Sequence, residues 1–504
     1  MHDVFIDYTA LFEKSKKIKL LKSCAMLLDW DQETYMPLKG LELRSTQKAF
    51  IESLAHREFI SNETEELIAR LIDLEHGHLF DEKALDNDQK LNVKLWRDDL
   101  IKAKKLPDAF VKEFAELTSE SVAVWAKAKE TNDFHLFSPY LEKVIALVRK
   151  KAHLMGFKDH PYDALIDDYE LGMTTKELDK LFGLLKKELI PLAKTLYSIK
   201  HQDDFLYGDF EESSIFKFDH YLLEKMGFEE GSYRLDASSH PFCMGLYPSD
   251  IRMTTVMKTS DLFAANISST IHEAGHGLYE QGLPKKHFGS PLGEYVSMGI
   301  HESQSKFWEC FIGQSLPFWT YFYPKLQELF PKNFSSHSLN QFYKAINQVT
   351  PSMIRIYADE VTYCLHVILR YEIEKGLLSG SIEVNDLPRI WNEKMEAYIG
   401  VVPKTFKEGL LQDIHWAWGL FGYFPTYALG NLYAAQLFDA LKTDYPDWQK
   451  KIAHGDLIFI KEWLKEKIHR HGRAYKPKEL IQLATGKDLS ENYFIEYLKN
   501  KYPV

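Results

Sequence analysis

Along most of the 504-residue chain, apolar residues recur at i, i+3, i+4. Tyr8 to Met36, Asp88 to Lys129, Phe137 to Leu154 and Lys176 to Ser198 carry this helical period. So do Tyr295 to Ile312, Ser338 to Asn347, Met353 to Lys375 and Asp456 to Arg470. The pattern predicts a mainly α protein. One stretch breaks it. Ser232 to Lys258, SYRLDASSHPFCMGLYPSDIRMTTVMK, is rich in turn residues, and its tail alternates. Ile251, Met253, Thr255 and Met257 fall on one side, and Arg252, Thr254, Val256 and Lys258 on the other, which predicts a half-buried strand.

A few residues later comes SSTIHEAGHGLYEQGL, Ser268 to Leu283, in which His272 and His276 stand four apart with Glu273 after the first. On a helix both imidazoles project from one face, where a tetrahedral zinc ion can take a nitrogen from each. Glu273 is placed to deprotonate a water there. Asp261, Ser268, Ser269 and Thr270 are possible caps, and Gly282 followed by Pro284 is a stop signal. Gly275 and Gly277 weaken a helix, so they predict close packing or close approach of a ligand. A strand edge beside such a metal helix could pair with an extended peptide backbone.

A catalytic zinc needs a third protein ligand and an open position. The HExxHxxGxxH arrangement is excluded, because Tyr279 and Gly282 stand where its glycine and third histidine belong. Glu280 and Glu294 are candidates, but Glu280 shares the short helix with His276. Glu302, 26 residues after His276 in the apolar-flanked YVSMGIHESQSKFWEC, is favoured, since a carboxylate among apolar residues is costly unless paired or metal-bound. His415 in QDIHWAW, with Tyr423 and Tyr427 in GYFPTYALG, offers donors for an oxyanion. Arg355 and Arg252 are the arginines in apolar surroundings, suited to a terminal carboxylate or to structural pairs with Asp359 or Asp250. Asp359 and Asp413 are candidates for orienting the metal histidines.

Composition narrows the function. The formal net charge of −11 disfavours nucleic-acid and membrane partners. Cys24, Cys243, Cys310 and Cys364 are scattered, which fits a reducing cytoplasm. Neither a secretory signal nor an apolar run of membrane-spanning length is expected.

Seven segments together resemble the carboxypeptidase Taq family of metallocarboxypeptidases. They are AMLLDWDQETYMP (Ala25–Pro37), HPF (His240–Phe242), DIRMT (Asp250–Thr254), HEAGH (His272–His276), HESQ (His301–Gln304), IRIYAD (Ile354–Asp359) and GLLQDIHW (Gly409–Trp416). The resemblance spans essentially the whole chain. It implies a two-lobed helical saddle with a deep central groove, related to neurolysin and angiotensin-converting-enzyme peptidases, with a small antiparallel β-sheet beside the metal helix. Residues 1–504 would form one catalytic unit, with an N-terminal helical lobe of about 1–200 and a C-terminal lobe carrying the metal site. It implies His272, His276 and Glu302 as ligands of one zinc or cobalt ion per subunit, Glu273 as base, and His415 with Tyr423 or Tyr427 at the oxyanion. Arg355 falls in a segment the family ties to recognition of the substrate's end, and Arg252 and His240 are further candidates for binding substrate. A homodimer that trims single C-terminal residues with broad specificity is implied, acting little on acidic or proline ends. Cys243 and Lys306 depart from the common residues, a hydroxyl and an arginine, and Lys306 bears on a salt bridge. The rival readings are a groove-type oligoendopeptidase, which lacks a carboxylate clamp, and an inactive peptide-binding metalloprotein.

Overall fold

The structure is a computed structural model and describes residues 3–503. Its first helix, Val4–Thr34, is capped by Asp3, whose carboxylate accepts from Phe5 N at 2.9 Å and Ile6 N at 3.3 Å. With Asn62–Leu71 and Asn87–Lys104 it encloses a small core of its own, built on Tyr8, Leu11, Ile68, Val93 and Trp96. A second, larger core runs without interruption from Ala128 to Tyr502 and holds the sheet and every helix discussed below.

Most expected helices are present, with instructive differences. The Asp88 to Lys129 period is two helices, Asn87–Lys104 and Asp108–Thr131. Pro107 separates them, because it lacks an N–H and pushes the residue before it out of the α region. The helix expected from Met353 begins only at Tyr363. Asp359 accepts the N–H groups of Val361 and Thr362, each at 3.0 Å, and so starts a new helix there. The long helix Phe424–Asp444 has no sequence period because it is buried nearly all round.

The sheet has three strands, β1 (Tyr233–Ala237), β2 (Cys243–Tyr247) and β3 (Asp250–Thr255), in the order β1-β3-β2. It is mixed, not wholly antiparallel. β2 runs antiparallel to β3 with Cys243 opposite Met253, but β1 runs parallel to it with Leu235 opposite Met253. The chain returns from β1 through β2 before entering β3, which is what leaves β1 and β3 pointing the same way. The alternating strand is therefore central, with both edges paired, and the outer edges belong to β1 and β2.

The helix Ser268–Gly282 packs on this sheet with one side and on the helix Met298–Lys306 with the other. Its two interior glycines serve the two contacts. A Cβ on Gly277 would sit 3.0 Å from Met253 Sδ and 3.2 Å from Ile251 Cγ2, while one on Gly275 would sit 2.5 Å from the carbonyl oxygen of Gln304 and 2.6 Å from Ser305 Cα. Two residues turn a helix by about 200°, so these contacts lie on nearly opposite faces. Gly275→Ala forces a methyl into backbone. We expect it to cost about 1–3 kcal/mol, seen as a lower melting temperature by circular dichroism. An unchanged melting temperature would mean that the two helices part freely.

Candidate metal centre

Asp261 opens the approach to the helix, its carboxylate accepting Ala264 N–H at 2.9 Å. Leu262–Ile267 winds as a π-helix before α geometry begins at Ser268. His272 and His276 then share one face. The helix held against Gly275 supplies Glu302, whose Oε2 lies 3.8 Å from His272 Nε2 and 3.5 Å from His276 Nε2. The ligand atoms of the three all fall within 4.8 Å of one another, the one such group among the described residues. A tetrahedral ion with bonds of 2.0–2.1 Å holds its donors about 3.3 Å apart. Two imidazoles and a carboxylate at slightly more than that spacing fit a divalent metal with one position left open.

Glu302 is buried, and two features hold it. A Cβ on Gly430 of the Phe424–Asp444 helix would lie 2.5 Å from Glu302 Cγ, so the side chain rests on bare backbone. The buried Glu170 carboxylate accepts Gly299 N–H at 3.0 Å and Tyr433 O–H at 2.7 Å, tying the start of the Glu302 helix to the same neighbour. Burial pushes Glu170 up to about 7.

Each histidine has a partner behind it. His272 Nδ1 lies 2.7 Å from Glu309 Oε2, an oxygen that also takes Lys306 Nζ at 2.8 Å. His276 Nδ1 lies 2.6 Å from His301 Nδ1, and His301 Nε2 lies 2.9 Å from Glu280 Oε1. The carboxylates behind the histidines are thus Glu309, in contact with His272, and Glu280, reached from His276 through His301, and not Asp359 or Asp413. Glu280 stands behind the ligands, and Glu294 pairs with Lys19 at 3.6 Å. Lys306, at an arginine position of the family pattern, does form its salt bridge. Glu309 was legible as the third member of a charged stripe, 302, 306 and 309, on an apolar helix; the chain past Lys306 winds as a π-helix over Phe307–Ile312.

The charges are strongly coupled. Burial disfavours a charged His272, but Glu302 and Glu309 outweigh it and raise the imidazole to about 9. Burial works against Glu302 too, yet His272 and His276 hold it at about 2. Burial and His301 push His276 down to about 3. Glu273 is buried on the same helix, and burial lifts it to about 7, where a carboxylate can both take and return a proton.

A second group lies on the Glu302 side of the Phe424–Asp444 helix. Tyr423, Tyr427 and Gly430 follow at i, i+4 and i+7, so the tyrosines share the face that meets Glu302. His415 Nε2 is 3.1 Å from Tyr427 Oη, and the Tyr423 ring centroid is 5.2 Å from that of Tyr427. Burial pushes His415 down to about 3 and Tyr427 up to about 12, so near neutrality one is an uncharged imidazole and the other a phenol with its proton.

Arg355 lies under this group, its guanidinium 4.7 Å from the Tyr427 ring centre. It donates to Asp413 Oδ1 from Nε at 3.2 Å and Nη2 at 2.9 Å, and to Tyr363 Oη at 2.9 Å. Arg370 Nε donates to the other Asp413 oxygen at 2.7 Å. Two buried guanidiniums therefore share one carboxylate, leaving a positive charge over. Arg355 pairs with Asp413 and not with Asp359. Arg252 is matched by its own Asp250, with Nε 2.5 Å from Oδ1, and lies 4.8 Å from the Trp30 ring centre. His240 is exposed between β1 and β2, where its carbonyl accepts Ser238 Oγ at 2.6 Å. Cys243 is half-buried in β2.

The family model for the carboxypeptidase Taq (M32) metallopeptidases matches residues 10–502. Carboxypeptidase 1 of Bacillus subtilis (strain 168) is 41% identical over 97% of this chain and 97% of the relative. Thermostable carboxypeptidase 1 of Thermus thermophilus is 39% identical over 98% of each chain. The crystal structure of the M32 carboxypeptidase from Deinococcus radiodurans R1 superposes with a TM-score of 0.94 at 33% identity, covering 99% of each chain.

Asp413→Asn leaves Arg355 and Arg370 buried without a counter-charge. Breaking a buried pair costs about 3–5 kcal/mol, so thermal unfolding should shift to clearly lower temperature. A variant melting with the wild type would show that solvent, and not Asp413, balances the two guanidiniums.

Proposed function

Because the chain belongs to the carboxypeptidase Taq (M32) family of metallopeptidases, and so is a metallocarboxypeptidase, we propose that it removes single C-terminal residues from peptides with broad specificity, using Glu273 as general base. The observation that carries this reading is Glu273, buried and raised to about 7 beside the His272, His276 and Glu302 cluster. The donor set suits zinc, with cobalt as the alternative, one ion per subunit. A bound metal supplies Lewis acidity to the scissile carbonyl and to the attacking water.

This chain's residues do the rest. Glu273 takes the proton from water as it attacks and delivers it to the leaving amine. Tyr427, oriented by His415, donates to the oxygen on which negative charge develops, with Tyr423 beside it. Arg355 takes the substrate's terminal carboxylate, because of the two candidate arginines it is the one whose cluster has positive charge to spare; Arg252 is already neutralised by Asp250. Substrate backbone lies along the outer edge of β2, the strand that contacts the metal helix and has no partner on that side among the described residues. In this reading the enzyme is a homodimer and cytoplasmic, and its four unpaired cysteines fit a reducing compartment. Among the described residues no helix is long and apolar enough to cross a membrane.

Glu273→Gln should bind metal as the wild type does and lose about 10²–10⁴-fold in kcat, read by metal analysis beside a peptide-cleavage assay; normal turnover would remove Glu273 from the role. Digestion of a free-acid peptide and its C-terminal amide, followed by mass spectrometry, should show stepwise loss from the acid alone. Internal cuts in both would make the protein an oligoendopeptidase, and no cleavage with metal bound would make it a peptide-binding protein. The preference for acid over amide should collapse in Arg355→Gln and survive in Arg252→Gln; the reverse result would exchange their roles.

A further inference from the structure

A metal takes one nitrogen of an imidazole, and the other nitrogen must then carry the proton and find an acceptor. For His272 that acceptor is the Glu309 carboxylate, 2.7 Å away. His276 has no such carboxylate. Its Nδ1 meets a second imidazole, His301 Nδ1, at 2.6 Å. That nitrogen can accept only if His301 carries its own proton on Nε2. Glu280 Oε1, 2.9 Å from His301 Nε2, is a carboxylate oxygen placed to accept that proton and hold it there. The direction of both bonds follows: His276 Nδ1–H donates to His301, and His301 Nε2–H donates to Glu280. This leaves His276 Nε2 unprotonated, 3.5 Å from Glu302 and facing the cluster.

The surroundings hold the link in place. The His301 ring centre lies 4.8 Å from that of Tyr295 and 5.3 Å from that of Tyr279. Glu280 is one turn beyond His276 on the same helix, and its side chain occupies the space where residue 245 of β2 would carry a Cβ. Such a Cβ would lie 2.6 Å from Glu280 Cγ and 2.7 Å from its Cβ, and closer still to Oε2. Gly245 is therefore the residue that makes room for the chain of bonds.

We propose that His301 and Glu280 are positioning residues for the metal, fixing the tautomer and direction of His276, and that Gly245 admits Glu280 to that place. The inference rests on the metal reading of the site and deepens it. It assigns a second task to the HESQ segment, in which Glu302 binds the ion while its neighbour His301 orients another ligand.

The test compares four purified proteins, the wild type, His301→Leu, His301→Asn and Gly245→Ala. Zinc affinity is measured by chelator competition, and the visible absorption of the cobalt(II) form reports ligand geometry. His301→Leu and Gly245→Ala should each weaken zinc about 10–100-fold and alter the cobalt bands. His301→Asn keeps an acceptor toward His276 and should lie close to the wild type. Should His301→Leu fail to fold, Gly245→Ala decides alone, since it removes no polar group. Wild-type affinity and spectrum in both disruptive variants would overturn the proposal while leaving the metal site standing. A wild type that binds no divalent metal would overturn both.

Discussion

Glu302 is a carboxylate in the interior of a helical protein, answered there by His272 and His276, and it reaches them because three helices come closer together than side chains normally permit. Gly275 lets the Glu302 helix lie on the His272 helix, and Gly430 lets the carboxylate's own stem lie on the Phe424–Asp444 helix. The same face of that third helix carries Tyr423 and Tyr427. The spacing between the His272–His276–Glu302 cluster, Glu273 and the two tyrosines is therefore set by backbone contact, which cannot relax by a change of rotamer. Gly277 extends the constraint to Met253 and Ile251 of the sheet.

Packing this tight leaves charged groups without water, and the structure answers by pairing each with another. Lys306, Glu309, His272 and Glu302 form one run; Arg355, Asp413 and Arg370 form a second. Tyr363 touches both, with Lys306 Nζ 4.5 Å from its ring centre and Arg355 donating to its hydroxyl. The first run is balanced around a place for a cation. The second is left one charge positive. That difference suits one to a metal and the other to an anion, and it arises from counting side chains that burial forbids from being neutralised by solvent.

The three members of the cluster were legible because chemistry fixed their spacing: His272 and His276 four apart on one helix, and a carboxylate in an apolar one. The two glycines of the motif were legible as contact points, though not which neighbour each would meet. What stayed hidden was hidden for physical reasons. The helix Phe424–Asp444 has no polar face and so no period, although it carries Tyr427 and Gly430. Arg355 read as the start of a helix because its apolar neighbours continue the period, and only the ion pair with Asp413, 58 residues further on, shows otherwise. β1 and β2 are short, and their pairing is decided at long range, so a sheet expected to be antiparallel is mixed. His301 lay in plain sight beside Glu302, but its role depends on Glu280 of another helix, a contact that no spacing rule encodes.

The placement of His272 between two carboxylates has a consequence for how the protein acquires its ion. The two carboxylates outweigh burial and raise the imidazole to about 9, which favours its protonated form near neutrality when no metal is bound. The proton on Nε2 faces Glu302 Oε2, 3.8 Å away on the side where the cation would sit, while Nδ1 keeps Glu309. A charge of the same sign then stands at the place of the ion, and binding a metal there releases a proton, so metal affinity falls as the solution becomes more acid.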